Sequence, residues 1–178
     1  GEGAGYLVLE RWDDAVVRGA TILAELSGYG ASCDAHHPTA PAEDGHGAEA
    51  AMRGALSEGR LTPASVDYVN AHGTGTPLND SAESRAIIAT LGTDVPVSSS
   101  KGAVGHCLCA AGAVEAAITA LAVARQIAPP TVGFAVTDPA CPIDAVPGRG
   151  RELPIRYALS ASFAFGGNAA VLVFGRAT

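Results

Sequence analysis

The sequence predicts an α/β fold: a mixed, mostly parallel five-stranded sheet packed by helices, with one further strand leading into it. Three observations point there. From residue 21 onward, strand-like and helix-like segments alternate in the order β-α-β-α-β-α-β-β, the pattern of a largely parallel sheet covered by helices. Apolar residues make up 48% of the 178 and charged residues only 16%, which supports one globular domain spanning 1–178. Three loops rich in Gly, Ser, Thr and His each follow a strand-like run, and open α/β sheets build their sites at the carboxyl ends of strands.

The elements follow in order. A glycine lead-in, GEGAG, precedes a short apolar strand at Tyr6–Glu10, and residues 21–30 alternate well enough for a second strand. The Pro, His, Gly and Asp of 31–47 make an ordered loop. Ala48, Ala51, Met52, Ala55 and Leu56 then share one stripe of a helix over 47–59. After Thr62-Pro63 comes a strand at Val66–Asn70, the loop His72–Asn79, and a helix near 81–91. Asp80 fits its N-cap, with Glu83 three residues on as in a capping box. A strand near 95–98 ends in serines, and a small-residue helix runs over 108–125 until Ala128-Pro129-Pro130 stops it. Residues 131–152 read as an irregular excursion, and strands near 156–163 and 169–174 close the chain as a hairpin.

Composition narrows the function. A net charge of −7 argues against a nucleic-acid partner. The longest uncharged stretch, Tyr157–Gly175, is broken by Ser160, Ser162, Gly166, Gly167 and Asn168, so it reads as two strands joined by a turn and no membrane segment is needed. Cys33, Cys107, Cys109 and Cys141 show no CxxC, and no signal peptide is visible, so free thiols in a reducing cytoplasm are expected. Lys101 is the single lysine beside ten arginines.

The chemistry-bearing loops are VNAHGTGTPLND (69–80), SSSKGAVGHCLCAAG (98–112) and SASFAFGGNAA (160–170). His72 follows a strand and is bracketed by Gly73 and Gly75, with the hydroxyls of Thr74 and Thr76 beside it. His106 precedes a long helix, whose N-terminus favours developing negative charge. Two such histidines suit hydrogen-bond donation to a thioester oxyanion; each alone is equally a structural histidine. Ser98 and Lys101 satisfy S-x-x-K, but an acyl-enzyme of that kind needs a second lysine in K-T-G. GEGAG precedes a strand instead of following one, so it is no dinucleotide loop.

At the HGTGTPLND, KGAVGH and SFAFGGN stretches, and at GEGAG-x-LVLE and DAHHPTAP, the sequence resembles the thiolase-fold β-ketoacyl synthases of fatty acid and type II polyketide synthesis. The likeness covers nearly the whole chain and aligns with the later portion of a complete synthase. It implies the second half of a thiolase-like fold, with 1–20 ending the first half and 21–178 forming the second. It also implies decarboxylative Claisen condensation of an acyl thioester with malonyl-acyl carrier protein. No resident cofactor is implied, because phosphopantetheine arrives on the carrier protein.

Residue by residue, His72 and His106 fall on the two family histidines. Lys101 falls on the lysine that positions His106 and ties to carboxylates, with Asp80 and Glu83 as candidates for that tie. Thr74 and Thr76 fall where pantetheine is contacted, and Phe165, with Gly166 and Gly167, on the loop that gates the nucleophile. Asn70, Glu115 and Ser160 lie near a structural monovalent-cation site of some members. None of the four cysteines matches the nucleophile, which the resemblance places in a preceding N-terminal half.

Three departures stand out: Ala169 and Ala161 each replace a usual Asn, and GHCLCAAG stands for GHTLGAAG. The rival reading is a non-catalytic chain-length or scaffold subunit; retention of His72, His106 and Lys101 favours the enzyme. The expected partners are the Cys-bearing half, acyl carrier protein, and a second ketosynthase-like subunit in a homo- or heterodimer.

Overall fold

The computed structural model describes residues 1–177. Among the described residues, eight strands form two sheets. The larger has the order β1 (Glu25–Cys33), β8 (Asn168–Gly175), β7 (Tyr157–Ala164), β2 (Tyr68–Asn70), β3 (Pro96–Ser98) and β5 (Asp144–Ala145). Strands β7, β2, β3 and β5 run parallel, while β8 is antiparallel to both β7 and β1. The five strands read from residue 21 onward are all present, and β5 is a sixth member of the sheet. It is only two residues long, too short to leave an alternating pattern. The same stretch supplies β6 (Arg151–Glu152), paired antiparallel with β4 (Ile127–Ala128), so 131–152 is less irregular than its sequence implies.

Side-chain alternation along the strands sorts the core into two layers. Val69, Leu159, Val171 and Val173 face α2 (His46–Glu58) and α3 (Pro77–Leu91), where they pack with Met52, Leu56 and Ile87. Tyr68, Ala158 and Phe174 face the opposite side and meet Ala116, Ala120 and Val123 of α5 (Ala111–Arg125). By length and apolarity Leu108–Arg125 could cross a membrane. It lies along the sheet instead, carries Glu115 ion-paired inside the fold, and leaves Leu121 and Ala124 uncovered.

Two expectations are corrected. Tyr6–Glu10 forms no strand; Tyr6 and Val8 are each 92% exposed. A strand is stable only when a neighbour completes its hydrogen bonds, and no described strand runs alongside it. Beyond it, α1 (Trp12–Val17) forms with Asp13 and Asp14 in its first turn. The second correction concerns α3, which begins four residues earlier than expected. Pro77 takes the first helical position, where its missing N–H is harmless, and Thr76 is the N-cap. Asp80 and Glu83 are thereby inside the helix and free for other partners.

Helix α2 lies flush on the sheet because β1 has glycine where they cross. A Cβ on Gly30 would stand 2.1 Å from the Ala51 carbonyl oxygen, a backbone atom that cannot swing away. Gly30→Ala is therefore expected to destabilise the fold by about 1–3 kcal/mol through overpacking, read as a lower denaturation midpoint. An unchanged midpoint would mean that α2 can step back from the sheet.

Candidate active site

Three parallel strands end at one edge of the sheet, and each delivers a functional segment there. His72 stands two residues past β2. Lys101 opens α4 (Lys101–Val104) just past β3, and the Phe165–Gly167 turn follows β7. The imidazoles of His72 and His106 meet edge to face, with centroids 5.3 Å apart and planes at 82°. His72 is buried and His106 half-buried.

The His72 loop is held by α3. Glu83 accepts the amide protons of His72 and Gly73, both at 2.8 Å, and Asn79 Nδ2–H donates to it at 3.3 Å. Asp80 accepts from the Gly75 amide at 3.2 Å. Gly73 has φ 43°, and a Cβ there would lie 2.6 Å from Ser99 Cβ, so the loop needs glycine at this point. Ser99 Oγ–H donates to the Gly73 carbonyl at 2.7 Å and ties the His72 loop to the exit of β3. Thr74 and Thr76 hydroxyls bond each other at 2.9 Å on the exposed side.

Lys101 departs from expectation. Its ammonium ion-pairs with Glu115 of α5, both groups buried, and it lies 3.4 Å from Nδ1 of His72. Its tie is thus to neither Asp80 nor Glu83, whose carboxylates are occupied by the backbone of the His72 loop, and the histidine it touches is His72 instead of His106. Glu115 is the one acid in an otherwise uncharged helix turn, a signal that could have paired it with the one lysine.

The contacts define the tautomers. An ammonium only donates, so His72 Nδ1 is an acceptor and Nε2 carries the proton. Leu108 N–H donates to His106 Nδ1 at 3.0 Å, which leaves His106 Nε2 protonated as well. Both rings therefore present an Nε2–H donor. Burial, followed by the charges of Lys101 and His106, pushes His72 down to about 3. His106 is lowered too, by burial first and then by Lys101. Burial raises Glu83 to about 7 against the pull of its two amide donors, and it raises Glu115 against the pull of Lys101.

A cavity of about 740 Å³ opens beside these groups, lined by Thr74, Thr76, Lys101, His106, Phe134 and Cys141 among others, within the range of ligand pockets. Phe165 is 75% exposed on its turn and does not line that cavity. Gly166 and Gly167 both have positive φ, and the turn is tied to the 33–38 loop. Gly166 N–H donates to the Pro38 carbonyl at 2.8 Å, and Asp34 N–H to that of Gly167 at 3.0 Å. Asn70 donates to the Glu115 carbonyl and to Thr119 Oγ1, both at 3.1 Å. Asn70 Oδ1 and Glu115 Oε2 are buried without a hydrogen-bond donor, and Ser160 is the β7 residue in register with Asn70.

Residues 23–135 match the family of β-ketoacyl synthase C-terminal domains. The chain belongs to that family. This synthase domain is 47% identical over 177 residues to 3-oxoacyl-[acyl-carrier-protein] synthase 2 of Synechocystis, covering 98% of the chain and 42% of the relative. Against the Staphylococcus aureus protein of the same name the identity is 46%, with 98% and 43% covered. Among solved structures, a β-ketoacyl synthase from Burkholderia phymatum superposes with a TM-score of 0.91 at 41% identity, covering 95% of this chain and 41% of that one. The ishigamide ketosynthase/chain length factor gives 0.90 at 42% identity, covering 94% and 41%. A type II PKS acyl-carrier protein in complex with its ketosynthase gives 0.92 at 36% identity, covering 95% and 42%. The fold is thus the thiolase-like one, and the synthase domain spans less than half the length of these relatives.

The histidine environment has a pH signature. An unfolded imidazole protonates near 6.5, while folded His72 resists down to about 3. Its contribution to stability is full above about pH 6.5 and is lost as pH falls from there toward 3, because only the unfolded state binds the proton. Glu83 runs the other way: its contribution is full below about pH 4.5 and is lost as pH rises toward about 7. The His72 ring signal in an NMR titration is expected to keep its neutral shift from about pH 8 to 5. A midpoint near the ordinary imidazole value would refute the environment described.

Proposed function

We propose that this chain supplies the two-histidine and lysine part of a β-ketoacyl-acyl carrier protein synthase, which joins an acyl thioester to malonyl-acyl carrier protein by decarboxylative Claisen condensation. The observation that carries the reading is the pair of adjacent neutral imidazoles, each with Nδ1 occupied and Nε2–H free to donate. In the proposed sequence a Cys thiolate on a complementary N-terminal half first takes the acyl group from the carrier protein. The malonyl thioester then loses carbon dioxide, and the bond electrons pass to the thioester as an enolate. Its oxygen accepts hydrogen bonds from His72 and His106, aimed where charge develops. The enolate carbon attacks the acyl carbonyl, and the tetrahedral intermediate collapses to the β-ketoacyl product as the Cys thiolate leaves.

In this scheme Lys101 holds His72 by its Nδ1 and is itself held by Glu115. Glu83, with Asp80 beside it, fixes the loop. Thr74 and Thr76 border the path of the pantetheine arm, which comes with the carrier protein, so the domain needs no cofactor of its own. Phe165, with Gly166 and Gly167, gates the nucleophile. Asn70, Glu115 and Ser160 would hold a monovalent cation, whose charge would balance the oxygens left without donors. The enzyme would work in the cytoplasm as a homo- or heterodimer with a second ketosynthase-like subunit. A chain-length or scaffold subunit has no use for two matched donors, and their retention supports the catalytic reading.

Replacing His72 or His106 by Ala in the complete synthase should lower malonyl decarboxylation by about two to three orders of magnitude, leaving acyl transfer to Cys at least partly intact. Carbon dioxide release and mass spectrometry of the acyl-enzyme separate the two steps, and retained condensation in both variants would make the histidines structural. Lys101→Ala should behave like His72→Ala.

The exposed side chains of Tyr6 and Val8 and the uncovered face of α5 support a further expectation. The 178 residues alone should be insoluble or molten, and co-expression with the Cys-bearing half should restore a compact synthase. A monodisperse, cooperatively unfolding isolated chain would contradict it.

A further inference from the structure

Three groups surround the His72 ring, and only two belong to the chemistry described so far. His106 meets it edge-on, Lys101 reaches its Nδ1, and the third contact is aromatic. The Phe163 ring lies 5.4 Å from that of His72, tilted by 50°. Phe163 is half-buried against the α2–α3 side of the core, on the strand face it shares with buried Leu159 and Ala161. It is therefore anchored at its base while its ring closes one side of the imidazole.

We infer that Phe163 is a positioning residue: it sets the orientation of the His72 imidazole and links that orientation to the Phe165 turn. Two observations carry the inference. Lys101 contacts Nδ1 and His106 meets the ring edge to face, and the Phe163 ring adds a third contact that limits rotation of the imidazole about its side-chain bond. The same apolar ring covers part of His72, which is itself buried.

The link to the turn comes from the hairpin. Phe163 pairs with Ala169 and Ala164 with Asn168, immediately before Phe165–Gly167. Asn168, the first residue of β8, donates through Nδ2–H to the Phe165 carbonyl at 3.0 Å, closing the turn of the hairpin whose other strand bears Phe163. A displacement of the turn cannot then leave Phe163 untouched, and Phe163 passes it to the histidine.

The inference rests on the two-donor reading above and is tested in the complete synthase. Phe163→Leu removes the flat ring but keeps apolar bulk; Phe163→Tyr keeps the ring. Phe163→Leu is expected to lower kcat for malonyl decarboxylation about tenfold, as a misplaced group does. KM for the malonyl thioester and acyl transfer to Cys should change less than about twofold. Phe163→Tyr should recover kcat. If Phe163→Leu fails to fold, Phe163→Met carries the same measurement. Unchanged kcat in the leucine or methionine variant, or a loss shared equally by acyl transfer, would overturn the inference. Failure of the two-donor reading is distinguishable, because His72→Ala and His106→Ala would then keep their activity.

Discussion

Between the exit of β3 and the middle of α5, an ammonium and a carboxylate are removed from water together. The pair of Lys101 and Glu115 is the one arrangement on which the placement of the surrounding groups depends. Neither charge is tolerable there alone, since removing one member of a buried pair typically costs about 3–5 kcal/mol. Together they lock α4 to α5 and bring a positive charge against Nδ1 of His72. That charge makes Nδ1 an acceptor and helps keep the ring neutral. The Asn70 contacts to the Glu115 carbonyl and Thr119 then fasten the same helix to the strand that carries His72.

Much of this was legible in the sequence, and the reasons are local. Val66–Asn70, Ala51–Leu56 and Tyr157–Ala164 announce themselves because burial on one face imposes period 2 or 3.6. His72, Lys101 and His106 could be singled out because glycine crowds around them at strand exits, where open sheets collect functional groups. What stayed hidden was set by partners distant in the chain. Asp80 and Glu83 look like a capping box, and only the folded loop shows that Glu83 serves the His72 and Gly73 amides. Glu115 becomes the lysine's partner through a separation of fourteen residues across two helices. Phe163 reads as one more core residue of a strand until its ring is found against His72.

The two faces of the sheet are unequally finished. On the α2–α3 side, a continuous cluster of buried Ala, Val, Ile, Leu and Met side chains closes over β2, β7 and β8. On the other side α5 covers the sheet with small residues and shows apolar side chains outward. Small residues let a helix approach closely on more than one side at once, and an all-round apolar helix is suited to lie between two layers.

The clamp at Glu83 has a consequence for how such a site can vary. Because the carboxylate grips the chain at His72 and Gly73 and belongs itself to α3, residues 74–82, a short loop and the first turns of that helix, form a segment tethered at both ends. Substitutions at Thr74, Thr76 or Leu78 alter a stretch whose displacement is stopped before it reaches the imidazole. Diversity of the channel wall and constancy of the histidine are thereby mechanically separated. Lineages or designers can exchange the one while the other stays in register.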